Sequence, residues 1–139
     1  MTDFGALVRS GTVPDIEGFY RWDGTVRRVE YDGPQLSWFK LGLAFVPHWE
    51  SDPDGLVEVD WADRAVLPSV SGSVCCGEGP MGADGFFARL DADGVPIWVI
   101  FMAHSNPFVH VHVEGMMAKF TNNLDRSVVI NLELPDFAA

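Results

Sequence analysis

From Phe108 to Glu114 apolar and polar side chains alternate one for one, Phe-Val-His-Val-His-Val-Glu. That period of two predicts a strand with Val109, Val111 and Val113 on one face and His110, His112 and Glu114 on the other. Similar alternations, or short apolar runs between turn residues, recur along the chain. Residues 19–22 and 25–31 flank Asp23-Gly24, the dipeptide that suits a type I′ hairpin because both of its central positions need positive φ. Strands are also expected at 36–46, 56–61, 86–91, 96–103, 108–120 and 127–134, with turns at Ala92-Asp93-Gly94, Ser105-Asn106-Pro107 and Thr121-Asn122-Asn123. Gly115 interrupts the histidine-bearing strand and predicts a bulge there. The stretch 97–102 is apolar at every position, so it belongs in the middle of a sheet with both faces covered.

Two stretches depart from this pattern. Asp3 is placed to cap a short helix over residues 4–10, with Leu7 and Val8 inward and Gly11 ending it. The Gly-, Ser- and Pro-rich stretch 67–85 reads as a long irregular connection with at most a short strand at 73–76. The fold class expected is mainly β: an antiparallel sheet forming a curled half-barrel or a sandwich, with one short N-terminal helix, in a single domain spanning residues 1–139.

A tight hairpin at Ser105-Asn106 would set the histidine strand beside the apolar one. His110 would then lie near Phe101, His112 near Val99 and Glu114 near Ile97. A His-X-His pair on one strand face presents two imidazoles to one ion. With Glu114 or His104 as third ligand, His110 and His112 would make a zinc or other divalent metal site with a position open to water. The spacing differs from that of the cupins, in which the carboxylate follows the second histidine by four residues; here Glu114 follows by two. A polar strand face in solvent, or a partner-binding surface, accounts for the same residues without metal or other cofactor.

Charge changes the picture more. The 20 acidic residues against 9 basic ones give a formal net charge of −11. Such a chain repels phosphate backbones and anionic membrane surfaces, so neither nucleic acid nor membrane is an expected partner, whereas a basic protein is. The acids concentrate between Trp49 and Asp63, where Glu50, Asp52, Asp54, Glu58, Asp60 and Asp63 bring six carboxylates and no base, and these residues with Trp49 are the expected partner-binding surface. Within that segment Glu58 and Asp60 are expected outward, with Val57, Val59 and Trp61 inward.

Other motifs weigh less. Gly77 to Gly82 matches a Gly-X-Gly-X-X-Gly expression, but it contains Pro80 and leads into no helix, so phosphate cradling is excluded. Cys75 and Cys76 are adjacent and are expected to be reduced, buried structural thiols. Trp38, Phe39, Trp98 and Phe101 raise the alternative of a half-barrel that binds a small apolar ligand. No basic n-region opens the chain and no apolar run is long enough to span a bilayer, which points to the cytoplasm.

Arg89-Leu90-Asp91, then Gly94 to Phe101, then Ser105-Asn106-Pro107-Phe108 and Asn122-Asn123-Leu124 resemble the C-terminal part of small bacterial immunity proteins associated with toxin systems. The resemblance covers about the last third of the chain. It implies a non-enzymatic inhibitor that binds a cognate toxin, often over the toxin's active site.

Overall fold

A computed structural model describes residues 2–49 and 55–139. It contains α1 (Phe4–Arg9) and twelve strands: β1 (Thr12–Pro14), β2 (Gly18–Arg21), β3 (Val26–Tyr31), β4 (Phe39–Ala44), β5 (Leu56–Glu58), β6 (Asp63–Val66), β7 (Ser73–Glu78), β8 (Gly85–Leu90), β9 (Pro96–Met102), β10 (Phe108–Glu114), β11 (Met117–Asn122) and β12 (Ser127–Asn131). All pairings are antiparallel. A seven-stranded sheet has the order β4-β3-β2-β9-β8-β7-β6, a three-stranded sheet the order β10-β11-β12, and β1 pairs with β5 in a ribbon. The sheets do not close into a barrel.

The apolar strand lies where its composition places it. β9 sits between β2 and β8, and its alternation feeds two cores. Trp98, Ile100 and Met102 join Phe19, Val74, Cys76 and Phe87 under the three-stranded sheet, which contributes Phe108, Val111, Ala118, Phe120, Val128 and Ile130. Val99 and Phe101 face the other way, with Tyr20, Cys75, Phe86 and Ala88, under α1 and the β1-β5 ribbon. Burying both faces of β9 is what makes a run without polar alternation stable here.

The first hairpin forms where Asp23-Gly24 predicts it, with a different turn. Arg21 and Thr25 close a loop of Trp22-Asp23-Gly24, the Gly24 N–H donates to the Arg21 carbonyl at 3.0 Å, and only Gly24 takes positive φ, 89°. This is the type I turn plus left-handed residue of a three-residue hairpin, fixed by Asp23 accepting from the Thr25 N–H at 3.0 Å. The chain repeats the device at Asp91-Ala92-Asp93-Gly94-Val95 and Asn122-Asn123-Leu124-Asp125-Arg126, where Asp125 adopts the left-handed conformation at φ 61°.

Three further expectations are corrected. β7 is a six-residue strand inside the main sheet, although its Ser, Cys and Gly residues read as loop. Glycine is required at one of its positions: a Cβ on Gly77 would stand 2.7 Å from the Phe86 ring and 2.9 Å from the Asp60 carbonyl. Residues 108–120 form two strands, because Gly115 at φ 59° lies in the turn between Glu114 and Met117, which are partners. The bulge falls instead between Phe108 and His110, so Val109 leaves the inner face and is 47% exposed.

β10 also does not pair with β9. Both edges of β9 are occupied, and Asn106, at φ 61°, turns the chain out of the main sheet toward the second one. Bonds from the Asn106 N–H to the Ala83 carbonyl at 2.9 Å and from its side chain to Asn123 at 3.1 Å fix that exit. His110, His112 and Glu114 therefore have Thr121, Lys119 and Met117 as their cross-strand partners, in place of Phe101, Val99 and Ile97.

The helix agrees with its cap signal. Asp3 accepts from the Ala6 N–H at 3.0 Å, Phe4 and Val8 are buried, Leu7 packs at the margin of the second core, and Gly11 follows at φ 84°. Among the described residues no helix is long and apolar enough to cross a membrane. The C-terminal segment is fastened by arginines: Arg89 donates to the carbonyls of Leu132 at 3.1 Å and Phe137 at 2.9 Å, while Arg27 pairs with Asp136 at 2.9 Å. Trp98 adds a bond to the Phe137 carbonyl at 2.9 Å, so the C-terminal carbonyls satisfy the Trp98 indole and one terminal nitrogen of Arg89, while Arg89 Nε stays buried without a partner among the described residues.

Candidate functional site

The outer face of β10 and β11 carries the histidine row. His110 and His112 line an open hollow of about 480 Å³ together with Val109, Lys119, Thr121 and Asp125. Beside it, Thr121 and Ser127 share a hydroxyl hydrogen bond of 2.9 Å. Both imidazoles are well exposed, at 64% and 59%.

His110 is oriented from a different sheet. Asp63, first residue of β6, accepts from His110 Nδ1 at 2.8 Å and from the Val111 N–H at 3.0 Å. Partial burial alone would raise the Asp63 carboxyl. N–H donation from Val111 and Arg64, together with the charge of His110, outweighs that and holds it below the usual carboxylate range. A neutral imidazole that donates from Nδ1 keeps a lone pair on Nε2, which leaves that nitrogen to accept a proton or bind an ion. His112 approaches Glu114, at 3.6 Å from Nε2 to Oε1, across open solvent.

The Asp63 carboxylate therefore joins the two sheets, which sets a pH dependence. Its folded pKa is lowered, so its stabilisation is complete above the ordinary Asp range near 4 and is lost as pH falls through the lowered value. Asp63→Asn is expected to be less stable than the parent in urea at pH 7 and at pH 5, with the difference closing below about pH 4. A difference that stays constant down to pH 2 would mean that the carboxylate charge does not hold β10.

His104 does not join the pair. It stands in another hollow with Glu17, Tyr31 and Trp38, and its backbone N–H donates to the Tyr31 oxygen at 2.9 Å. Tyr31 in turn donates to Glu17, which also accepts from the Ala103 N–H at 2.9 Å. Burial, reinforced by the bond to Glu17, pushes the Tyr31 hydroxyl up, so it stays a donor. Among the described residues no three His, Cys, Asp or Glu side chains are grouped to hold a metal.

The acidic segment divides. Glu50, Asp52 and Asp54 lie outside the described residues. Glu58 and Asp60 are exposed and, among the described residues, in no ion pair, whereas Asp63 is committed to β10. Trp49 is partly buried against the second core, with its indole nitrogen enclosed and without a hydrogen-bond partner among the described residues. Trp61, expected inward, is 43% exposed, and the Arg64 guanidinium lies over its ring at 5.8 Å. Val57 and Val59 do face that core.

The four aromatics considered for an apolar ligand line no common space. Trp98 and Phe101 are buried on opposite faces of β9, Trp38 borders the His104 hollow, and Phe39 borders a separate one beside Leu41 and Ile130. Cys75 and Cys76 are free, buried and split between the two cores. Burial pushes both thiols up to about 12, which leaves them poor nucleophiles. The link that sequence reasoning missed is Asp63 to His110: it joins residues 47 positions apart, and no local pattern marks it.

Compared with protein-family models, curated proteins and solved structures, the chain finds no match.

Proposed function

We propose that this chain is a non-enzymatic binding protein for a basic protein, and in its most concrete form an immunity-type inhibitor of a toxin. The observation that carries the reading is the acidic surface on β5 and the loop after it. Glu58 and Asp60 stand exposed and unpaired among the described residues, next to a Trp61 ring that already accepts a guanidinium from Arg64. Tryptophan and charge in that arrangement suit a partner rich in Arg and Lys: the acids steer encounter, and the ring supplies an anchor. The net charge of −11 extends the attraction over the whole surface. The resemblance of the last third of the chain to immunity proteins supplies the partner class.

Co-expression with the products of adjacent genes tests this, followed by binding kinetics at low and high salt. A basic neighbour that is toxic alone and bound by this chain is the expected result. The double variant Glu58→Lys, Asp60→Lys should then associate roughly tenfold more slowly at low salt, and Trp61→Ala should mainly speed dissociation. A set of neighbours that are neither toxic nor bound, with salt-independent binding of other basic proteins, would sink the proposal.

A further inference from the structure

The histidine row has a feature that binding a basic protein does not need. His110 and His112 project from one face of β10 into one hollow, two residues apart, the spacing at which a strand delivers two imidazoles to one ion. His110 is also pre-set. Asp63, reaching across from β6, holds its Nδ1 at 2.8 Å, which leaves Nε2 as the nitrogen outside that contact. A histidine whose second nitrogen donates to a carboxylate is the usual outer arrangement of a metal-bound imidazole: it fixes the ring and makes the ligating nitrogen more basic. Asp63 is itself locked by the Val111 N–H at 3.0 Å, so the pair His110 and Asp63 is positioned before any ligand arrives.

We propose that His110 and His112 bind one borderline divalent transition-metal ion, with Asp63 as the positioning residue behind His110. The ligand type selects the ion. Two imidazoles favour copper(II), nickel(II) and zinc over calcium or magnesium, in the order copper above nickel and zinc. The two histidines are the ligands proposed, the Glu114 carboxylate stands beside them at 3.6 Å from His112 Nε2, and water completes the coordination. Lys119, directly across from His112, places a like charge beside the ion and weakens the site. The proposal stands independently of the protein partner.

The test is calorimetric titration of the metal-stripped full chain with copper(II), nickel(II) and zinc chlorides, with histidine ring resonances followed by NMR in the zinc arm. One ion per chain is expected, with affinities in the stated order and ring shifts confined to His110 and His112. His110→Ala and His112→Ala should each abolish saturable binding, and both should fold because both rings are exposed. His48→Ala and His104→Ala should leave it unchanged. Asp63→Asn should lower affinity by roughly 10- to 100-fold. Since that variant also loosens β10, Lys119→Ala provides a second readout, and it should tighten binding. Absence of saturable binding, or binding that survives in both His110→Ala and His112→Ala, would overturn the proposal. Equal affinity in the Asp63→Asn and parent proteins would remove the role given to Asp63.

Discussion

Asn122→Ala is expected to lower the stability of the folded chain by about 3 kcal/mol, since it leaves several buried polar groups without partners at once. The Asn122 side chain is 1% exposed and makes four hydrogen bonds. Its amide nitrogen donates to the carbonyls of Pro34 at 2.9 Å and Ser105 at 2.8 Å, and its oxygen accepts from the N–H groups of Leu124 at 3.0 Å and Arg126 at 2.9 Å. One residue thus ties the β11-β12 loop to the β3-β4 connection and to the point where the chain leaves β9. Water can serve the Leu124 and Arg126 N–H groups at the loop surface. It does not reach the Ser105 carbonyl as readily, and that loss dominates. Asn122→Asp separates the two halves: it keeps the acceptor for the loop but turns a carboxylate on two carbonyls, so it should be at least as unstable as the alanine variant. Urea unfolding checks both. An alanine variant within about 0.5 kcal/mol of the parent would mean that solvent replaces all four bonds.

Asn122 also shows why part of the fold was legible and part was not. Residues 121–123 announce a turn by composition, and the turn follows at 123–125 once β11 has ended at Asn122, but nothing local reveals that the asparagine amide reaches residues 34 and 105. The same divide runs through the strands. β9 is readable because an unbroken apolar run of strand length has few places to go except a sheet centre. β7 is as buried as β9, yet its Ser73, Cys75, Cys76 and Gly77 resemble a loop, and what excludes a side chain at Gly77, the Phe86 ring and the Asp60 carbonyl, lies far from it in sequence. The pairing of β10 follows from the left-handed Asn106 and the full edges of β9, both set by tertiary context.

The candidate site divides in the same way. His110 and His112 on one face are a matter of period two and need no structure. Their separation from His104, and the capture of His110 by Asp63, depend on which sheet each strand joins. Trp61 faces solvent although alternation from Val57 points it inward, because β5 ends at Glu58 and the period, still kept at Val59, is lost by Trp61.

The other large effect is expected at Phe87. Its ring stacks on Phe120 at 4.3 Å between centroids and meets Phe108 edge-on at 5.2 Å, Trp98 at 6.1 Å and Phe39 at 6.1 Å. These partners come from both sheets, so the residue is the main aromatic link between them. Phe87→Ala removes a buried ring and leaves a cavity that two rigid sheets cannot easily close, which costs about 4 kcal/mol. Phe86→Ala removes the same atoms from the next position of β8, on the side of α1 and the β1-β5 ribbon, and should cost a similar amount. The two variants differ in where the loss is felt. Hydrogen exchange should show β10 and β11 losing protection first in Phe87→Ala, whereas β1, β5 and α1 should lose it first in Phe86→Ala. In the first case the His110 and His112 rings are loosened with their strand, so affinity at the proposed metal site should fall although neither histidine is changed. Uniform loss of protection in both variants would mean that the two cores unfold as one unit, and the face on which a side chain packs would then not decide which surface it supports.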